Sequence, residues 1–228
     1  MAGSTGRTLG ERLFGWGARR EVDAPSLAGT DLPAVVSKVF PRFLSTVAQV
    51  ESPTVLDLGT VVGSNISFLG DRLACKIYVE DLYADIERAA RARSFPEFPA
   101  HLESRLTRAE ASVDAILCWD VFDYLDRASA PVLGRHLARV LRPGGVLHGF
   151  FGTKPSPDDH QYLRFVILDD RTLQPRGHVG SRGRVQAYQG RDIDRLFDGL
   201  RVAESVLLLS GTRDVLYRRP DIAPPASP

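Results

Sequence analysis

The stretch from Thr54 to Asn65 constrains the fold of this chain more than any other segment. A short apolar run ends at Asp57, and two glycines, Gly59 and Gly63, follow it. Ser64, a residue type that often caps helices, then precedes a second group of apolar positions. The sequence therefore predicts a strand, a tight turn and a helix start. In α/β proteins this arrangement is the usual place for a nucleotide-like ligand.

Composition limits the remaining possibilities. A chain of 228 residues is long enough for one substantial domain. Its formal net charge of +1 provides no global field for nucleic acid or membrane. Without an apolar run of roughly 20 residues or a secretory h-region, we expect a cytoplasmic protein. Cys75 and Cys118 lack partners at ligand spacing, so we expect neither a disulfide framework nor a metal site.

Strands alternate with helices along the central part of the chain. Apolar periodicity predicts, in order, a helix from Asp31 to Gln49 broken or kinked at Pro41, a strand over 54–58, a helix over 64–73, a strand over 76–79, a helix over 82–93, a strand over 113–119, a helix over 129–141 and a strand over 146–151. A final hairpin pairs 202–209 with 215–217. The expected fold class is α/β, a doubly wound and mostly parallel sheet with an antiparallel C-terminal edge hairpin.

The domain limits follow from composition. Residues 1–27 are predicted to form a flexible tail, in which Leu9, Leu13 and Trp16 follow helical spacing and could contact a partner or a membrane surface. Residues 28–219 form the domain, and 220–228 form a proline-rich tail.

An insertion is predicted over 152–189, with one strand at 162–168 and its partner at 185–188. A basic loop lies between these strands. Five arginines of this region, Arg171, Arg176, Arg182, Arg184 and Arg191, could meet an anionic substrate or an acidic protein, or could belong to a solvated loop. Interleaved aromatic residues are sparse, so nucleic acid is not favoured.

Three segments together resemble the class I S-adenosylmethionine-dependent methyltransferases over about residues 31–219. The first is the turn 55–63, the second is 77–82 with its acids Glu80 and Asp81, and the third runs from the strand 113–117 to Leu-Arg-Pro-Gly-Gly at 141–145. The last turn, about two dozen residues after a strand-4 acid, is the most specific. The resemblance implies a three-layer sandwich and S-adenosylmethionine as cofactor.

The resemblance also implies roles for individual residues. Asp57, Gly59 and Gly63 would hold the methionine part of the cofactor. Asp81 would accept hydrogen bonds from the ribose diol, with Glu80 as the alternative. A second set lies near the tip of strand 4: Trp119 could stack on adenine or a flat substrate or pack in the core, and Asp120 could be a catalytic base or cap the next helix.

The chain departs from the family pattern at two points. Val61 stands where a glycine is usual, and 94–112 carries no clear strand pattern at the place of strand 3. Two hypotheses follow. In the first, the chain transfers methyl groups to a small molecule or another unidentified acceptor; in the second, it is a non-catalytic, methyltransferase-like interaction or scaffold module. In the second case Val61 and the residues around Trp119 would fill the pocket, and partners would bind the N-terminal tail or the arginine-rich loop.

Overall fold

The computed structural model describes residues 29–221, so the predicted tail at 1–27 and all but the first two residues of the predicted tail at 220–228 lie outside the described residues. The central sheet contains six strands in the order β4-β3-β5-β6-β10-β9. Its members are β3 (Thr54–Asp57), β4 (Lys76–Val79), β5 (Val113–Trp119), β6 (Leu141–Gly152), β9 (Arg201–Leu207) and β10 (Thr212–Arg218). Strands β4, β3, β5 and β6 are parallel, whereas β10 runs antiparallel to both β6 and β9. The predicted fold class is confirmed.

Helices cover both faces of this sheet and form the two outer layers. They are α1 (Phe40–Val47), α2 (Gly63–Leu73), α3 (Leu82–Ala92), α4 (Phe98–Arg105), α5 (Ser129–Val140) and α6 (Gly190–Leu196). One apolar core lies between the sheet and α3 to α6, and the other lies under α1 and α2. All seven residues of β5 are buried, which explains why this strand reads as a continuous apolar run.

Within residues 29–221, no strand pairs with the outer edge of β4, where the family pattern would place its strand 3. Residues 95–105 form a short 3₁₀ turn and then α4, in agreement with the absence of a strand pattern in this part of the sequence. The guanidinium of Arg108 lies 4.3 Å from the ring centre of Tyr78 on β4. This contact covers part of an edge strand that would otherwise be exposed.

The predicted helix from Asp31 to Gln49 is wrong over its first half. Residues 30–31 and 35–36 form the short strands β1 (Thr30–Asp31) and β2 (Val35–Val36), and helix α1 begins only at Phe40. Pro41 lies in the first turn, where its missing N–H costs nothing. Asp31 lies in β1 and does not cap this helix; the hydroxyl of Ser37 accepts hydrogen bonds from the amides of Val39 and Phe40, where the helix begins.

The insertion forms a second, smaller sheet. Strand β7 (Gln161–Ile167) pairs antiparallel with β8 (Thr172–Val179), and β1 and β2 add to β8. The predicted strand partner at 185–188 is therefore wrong. The tight turn between β7 and β8 explains the true pairing, because the Asp169 carboxylate accepts the amide protons of Arg171 and Thr172.

The predicted turn over 142–145 is an irregular part of β6. The β5–β6 register jumps there, from Val113 opposite Leu141 to Ala115 opposite Val146. Gly144 has a φ of 77°, a conformation that glycine adopts without strain.

Candidate functional site

The carboxyl end of β3 places a buried acid at the edge of the parallel sheet. Asp57 Oδ1 accepts hydrogen bonds from the Gly59 amide at 2.8 Å and from Trp119 Nε1 at 2.6 Å. Burial raises the pKa of Asp57 to about 6, and the charge of Asp81 adds to the rise, while the two hydrogen bonds oppose it. Asp57 and Asp81 thus influence each other electrostatically at this edge.

Trp119, at the end of β5, lies directly against the glycine turn. A Cβ on Gly59 would come within 2.7 Å of the indole Cδ1 and Nε1, so glycine is required there by the indole itself. The other face of the indole stacks on Phe165 of β7, with ring centres 5.4 Å apart and an interplanar angle of 6°. Trp119 also has a φ of 48°, a left-handed conformation that costs a non-glycine residue about 1–3 kcal/mol.

Beyond Gly59 the turn is more open. Val61 is 55% exposed and is absent from the set of residues with positive φ, so its side chain does not fill the turn. A Cβ on Gly63 would meet no atom within 4 Å. Ser64 lies inside α2 and does not cap it; the residue that precedes this helix is Val62, which makes no side-chain cap. The hypothesis that Val61 fills the pocket is therefore wrong, whereas the indole of Trp119 does lie in the space beside Gly59.

The first turn of α2 is tied to the insertion through Asn65. Its side chain is buried, donates to the Phe165 carbonyl at 2.8 Å and accepts the Ile167 amide at 2.8 Å. The small sheet is thereby held next to the glycine turn, and Phe165 is held against Trp119.

The two acids after β4 have different surroundings. Glu80 receives Arg105 at 2.9 Å on one oxygen and Arg108 at 3.1 Å on the other. Asp81 caps α3 by accepting the Ala84 amide at 3.1 Å through Oδ1. Its Oδ2 makes no hydrogen bond to another residue of the range 29–221, so Asp81 has the greater remaining capacity to accept one.

The segment after Trp119 carries two buried carboxylates. Asp120 accepts hydrogen bonds from the hydroxyls of Tyr83 and, at 3.4 Å, Tyr124, and its Oδ2 lies 3.5 Å from the Arg184 guanidinium. It makes no side-chain cap of the following 3₁₀ turn, so the alternative role as helix cap is wrong. Burial raises its pKa, and Arg184 opposes the rise.

Asp123 is the site residue that sequence reasoning missed. Both of its oxygens accept the Gly152 amide, at 3.0 and 2.9 Å. Burial and the neighbouring charge of Asp120 raise its pKa well above the usual range. The spacing of Asp120 and Asp123 was the available signal, since residues three apart in a 3₁₀ turn lie on one side of it.

These two acids line a cavity of about 270 Å³ between the central sheet and the small sheet. Its polar groups also include Arg184, Ser210 and Thr212. The remaining wall is apolar and comes from Leu32, Pro33, Val35, Phe150, Leu163, Phe165, Pro175 and Leu208. Phe165 lines this cavity and also stacks on Trp119, so these two rings lie between the cavity and Gly59.

Another buried polar cluster lies away from this edge. His148 and Asp214 are fully buried, with Nε2 and Oδ1 2.8 Å apart, and the Ser37 hydroxyl donates to Asp214 at 2.6 Å. The serine contacts the acid rather than the imidazole, so this cluster is not arranged to activate a nucleophile. It joins α1, β6 and β10 in the core.

The arginines of the insertion are dispersed rather than grouped. Arg176 pairs with Asp31 at 2.9 Å, Arg184 faces the cavity, and Arg182 lies 3.6 Å from the ring centre of Phe95. Arg171 and Arg191 are exposed. No helix between residues 29 and 221 has the length and apolar character needed to cross a membrane.

A family comparison agrees with this architecture. Residues 55–145 match the model of the methyltransferase domain family, a range that runs from β3 into β6 and includes Asp57, Asp81, Trp119 and Asp120. The matched range covers the three segments in which the sequence resembles the class I methyltransferases.

Solved structures with related folds are distant in sequence. The PH0226 protein from Pyrococcus horikoshii is 15% identical, with 80% of this chain and 92% of that chain covered and a TM-score of 0.45. The 1,6-didemethyltoxoflavin-N1-methyltransferase of Burkholderia thailandensis, whose structure holds 1,6-didemethyltoxoflavin and S-adenosylhomocysteine, is 13% identical over 81% and 78% of the two chains, with a TM-score of 0.47. The glycopeptide N-methyltransferase MtfA is 18% identical over 79% and 94%, with a TM-score of 0.43. No curated protein sequence matches the chain.

Proposed function

We propose that this protein transfers a methyl group from S-adenosylmethionine to a small molecule held in the cavity between the two sheets. The observation that carries the proposal is the position of that cavity. It adjoins, across the ring of Phe165, the sheet edge at which Asp57 and the glycine turn lie. Parallel α/β sheets bind their ligands at this edge.

Several residues fit the cofactor. Gly63 has open space above it at the start of α2, where backbone amides favour an electron-rich group. Asp81 retains a carboxylate oxygen for a ribose diol, and Asp57 is a buried acceptor at the strand tip. Glu80 fits less well because two arginines already occupy its oxygens.

Trp119 is the residue that decides access. A ligand that packs on Gly59 requires the indole to move away from it, which breaks the hydrogen bond to Asp57 and the stacking on Phe165. A hydrogen bond to a charged group contributes about 1.5–3 kcal/mol. A substitution of Trp119 that removes the indole, and with it this hydrogen bond, should therefore strengthen cofactor binding about 10- to 100-fold.

The bound cofactor would supply an already activated methyl group, so positioning accounts for much of the rate. The chain's own part is to hold the acceptor against the cavity wall and to keep water out. Asp120 is the proposed catalytic residue: buried and with a raised pKa, its carboxylate can accept a proton from an acceptor group that faces it.

A second function, a non-catalytic interaction module, is favoured by one observation. The indole of Trp119 already packs on Gly59 and bonds to the acid of the turn. The exposed arginines Arg171 and Arg191 would then be candidate partner contacts, as would the N-terminal segment.

Calorimetry with S-adenosylhomocysteine separates the two functions. Trp119→Gly suits the left-handed backbone and clears Gly59, whereas Trp119→Phe keeps one ring beside Gly59 and loses the Nε1 donor together with part of the ring area. Binding to the native chain, tighter in Trp119→Gly than in Trp119→Phe, supports the enzyme. Binding only to Trp119→Gly supports the interaction module. If none of the three proteins binds at millimolar ligand, the methyltransferase proposal is rejected.

A further inference from the structure

The cavity between the two sheets has an unusual charge content for a space with mainly apolar walls. Two carboxylates, Asp120 and Asp123, are 2% and 1% exposed, and a single guanidinium, that of Arg184, faces them. Burial of a charge is costly unless an opposite charge or hydrogen bonds compensate it. With both acids ionised, the cavity therefore lacks one positive charge.

Neighbouring groups compensate the charge of Asp120 more than that of Asp123. Asp120 receives two tyrosine hydroxyls and Arg184. Asp123 receives only one backbone amide, that of Gly152. Burial and the charge of Asp120 raise the pKa of Asp123, and the Gly152 amide and the charge of Arg184 oppose that rise only in part.

An anionic ligand does not match this arrangement. Among residues 29–221, Arg184 is the one cationic side chain in the wall, and it already contacts Asp120 at 3.5 Å and the Tyr124 hydroxyl at 3.4 Å. A carboxylate or phosphate in the cavity would face two acids with no unshared cation. No new ion pair would compensate the free-energy cost of removing the anion from water.

We propose that the cavity binds a small amine, with the ammonium group beside Asp123 and Asp120 and an apolar body against the aromatic and aliphatic wall. A volume of about 270 Å³ is at the small end of ligand pockets, which limits the body to about the size of one substituted ring. Phe150 and Phe165 offer stacked rings, 5.1 Å apart, as part of that wall. This inference rests on the proposed function and names the class of its acceptor.

The test compares three probes that share one body. The amine 2-phenylethylamine, the alcohol 2-phenylethanol and the anion 3-phenylpropionate are titrated separately into the full chain without cofactor, with ligand-observed NMR as the readout. The amine should bind at least about ten-fold more tightly than the alcohol or the anion, as expected for a charge-assisted hydrogen bond. Equal binding of the three, preference for the anion, or no binding by any of them overturns the proposal.

Variants that are expected to weaken or to strengthen amine binding show which side chains contact the ammonium group. Asp123→Asn keeps an oxygen for the Gly152 amide but loses the charge, and it should weaken amine binding about ten-fold. Asp120→Asn should do the same, which keeps the test available if one variant fails to fold. Arg184→Gln removes the competing cation and should strengthen amine binding. Asp71→Asn, at an exposed acid of α2, is the control and should change nothing.

Titration of S-adenosylhomocysteine into the same proteins keeps the two proposals distinguishable. A native chain that binds S-adenosylhomocysteine but shows no preference for the amine retains the methyltransferase function and rejects the amine site. A chain that binds the amine but not S-adenosylhomocysteine retains the amine site and rejects the methyltransferase function.

Discussion

The variant Asp57→Asn should gain stability, relative to the native chain, as the pH rises. The pKa of Asp57 is about 6 in the folded chain, above its usual value of 3.8. A group with a raised folded pKa stabilises the protein fully below 3.8, and that contribution is lost as the pH rises through about 6. Since each pKa unit corresponds to about 1.36 kcal/mol, ionised Asp57 costs the native state about 3 kcal/mol at neutral pH.

Asparagine carries no charge at any pH, so Asp57→Asn removes this cost. Its side-chain oxygen can still accept the Gly59 amide, and any weakening of the contact with Trp119 Nε1 lowers stability by an amount that does not depend on pH. The free energy of unfolding of the variant minus that of the native chain should therefore increase by about 2–3 kcal/mol between pH 4 and pH 8.

Urea unfolding, followed by circular dichroism at several pH values, measures this difference directly. Asp71→Asn, at an exposed position on α2, is the matched control, and its difference should stay within about 0.5 kcal/mol. A flat difference for Asp57→Asn would refute the argument, because it would mean that Asp57 ionises in the native state as readily as in the unfolded chain.

Two further predictions concern the packing around the site. Asn65→Ala should lower the free energy of unfolding by about 2–4 kcal/mol, because it leaves two buried β7 backbone groups unpaired. Asn65→Asp should also destabilise the chain, because a buried carboxylate oxygen would face the Phe165 carbonyl. Equal stability of Asn65→Ala and the native chain would contradict the prediction. Gly134→Ala should destabilise the chain by about 2–3 kcal/mol, because its Cβ would lie 2.0 Å from the Leu196 carbonyl oxygen at the end of α6. Thermal unfolding measures the effect, and Gly70→Ala on α2, where a Cβ meets no atom within 4 Å, should not destabilise.

The sequence predicted the central sheet well because each of its strands has a local signal. Buried parallel strands such as β5 read as continuous apolar runs, and the predicted absence of a strand after β4 agrees with the structure. The errors fall at the N-terminal segment and in the insertion. Residues 30–36 form strands only because β8, about 140 positions later, provides their partner, and no periodicity within the segment encodes that pairing.

The candidate site was likewise predicted only in part from the sequence. The sequence drew attention to Asp57, Gly59 and Trp119 separately, from a turn motif and a strand end. Their mutual contact, with the indole of Trp119 on Gly59 and its nitrogen on Asp57, joins residues 62 positions apart and could not be read from spacing. Asp123 was not predicted as a site residue for a related reason, because it is distinguished by its burial beside Asp120 and belongs to no sequence motif.

The sequence by itself determined much of the local backbone of the central region. The strand, glycine turn and helix at residues 54–65 are local patterns, and the glycines at 144 and 145 mark the irregular start of β6. Only the tertiary structure decided what stands at the edge of the sheet. Burial and proximity arise when the insertion folds over that edge, and they place an indole against the glycine turn and two carboxylates in one cavity. Side-chain desolvation and charge pairing depend on three-dimensional neighbours, so they become visible only when the chain is folded.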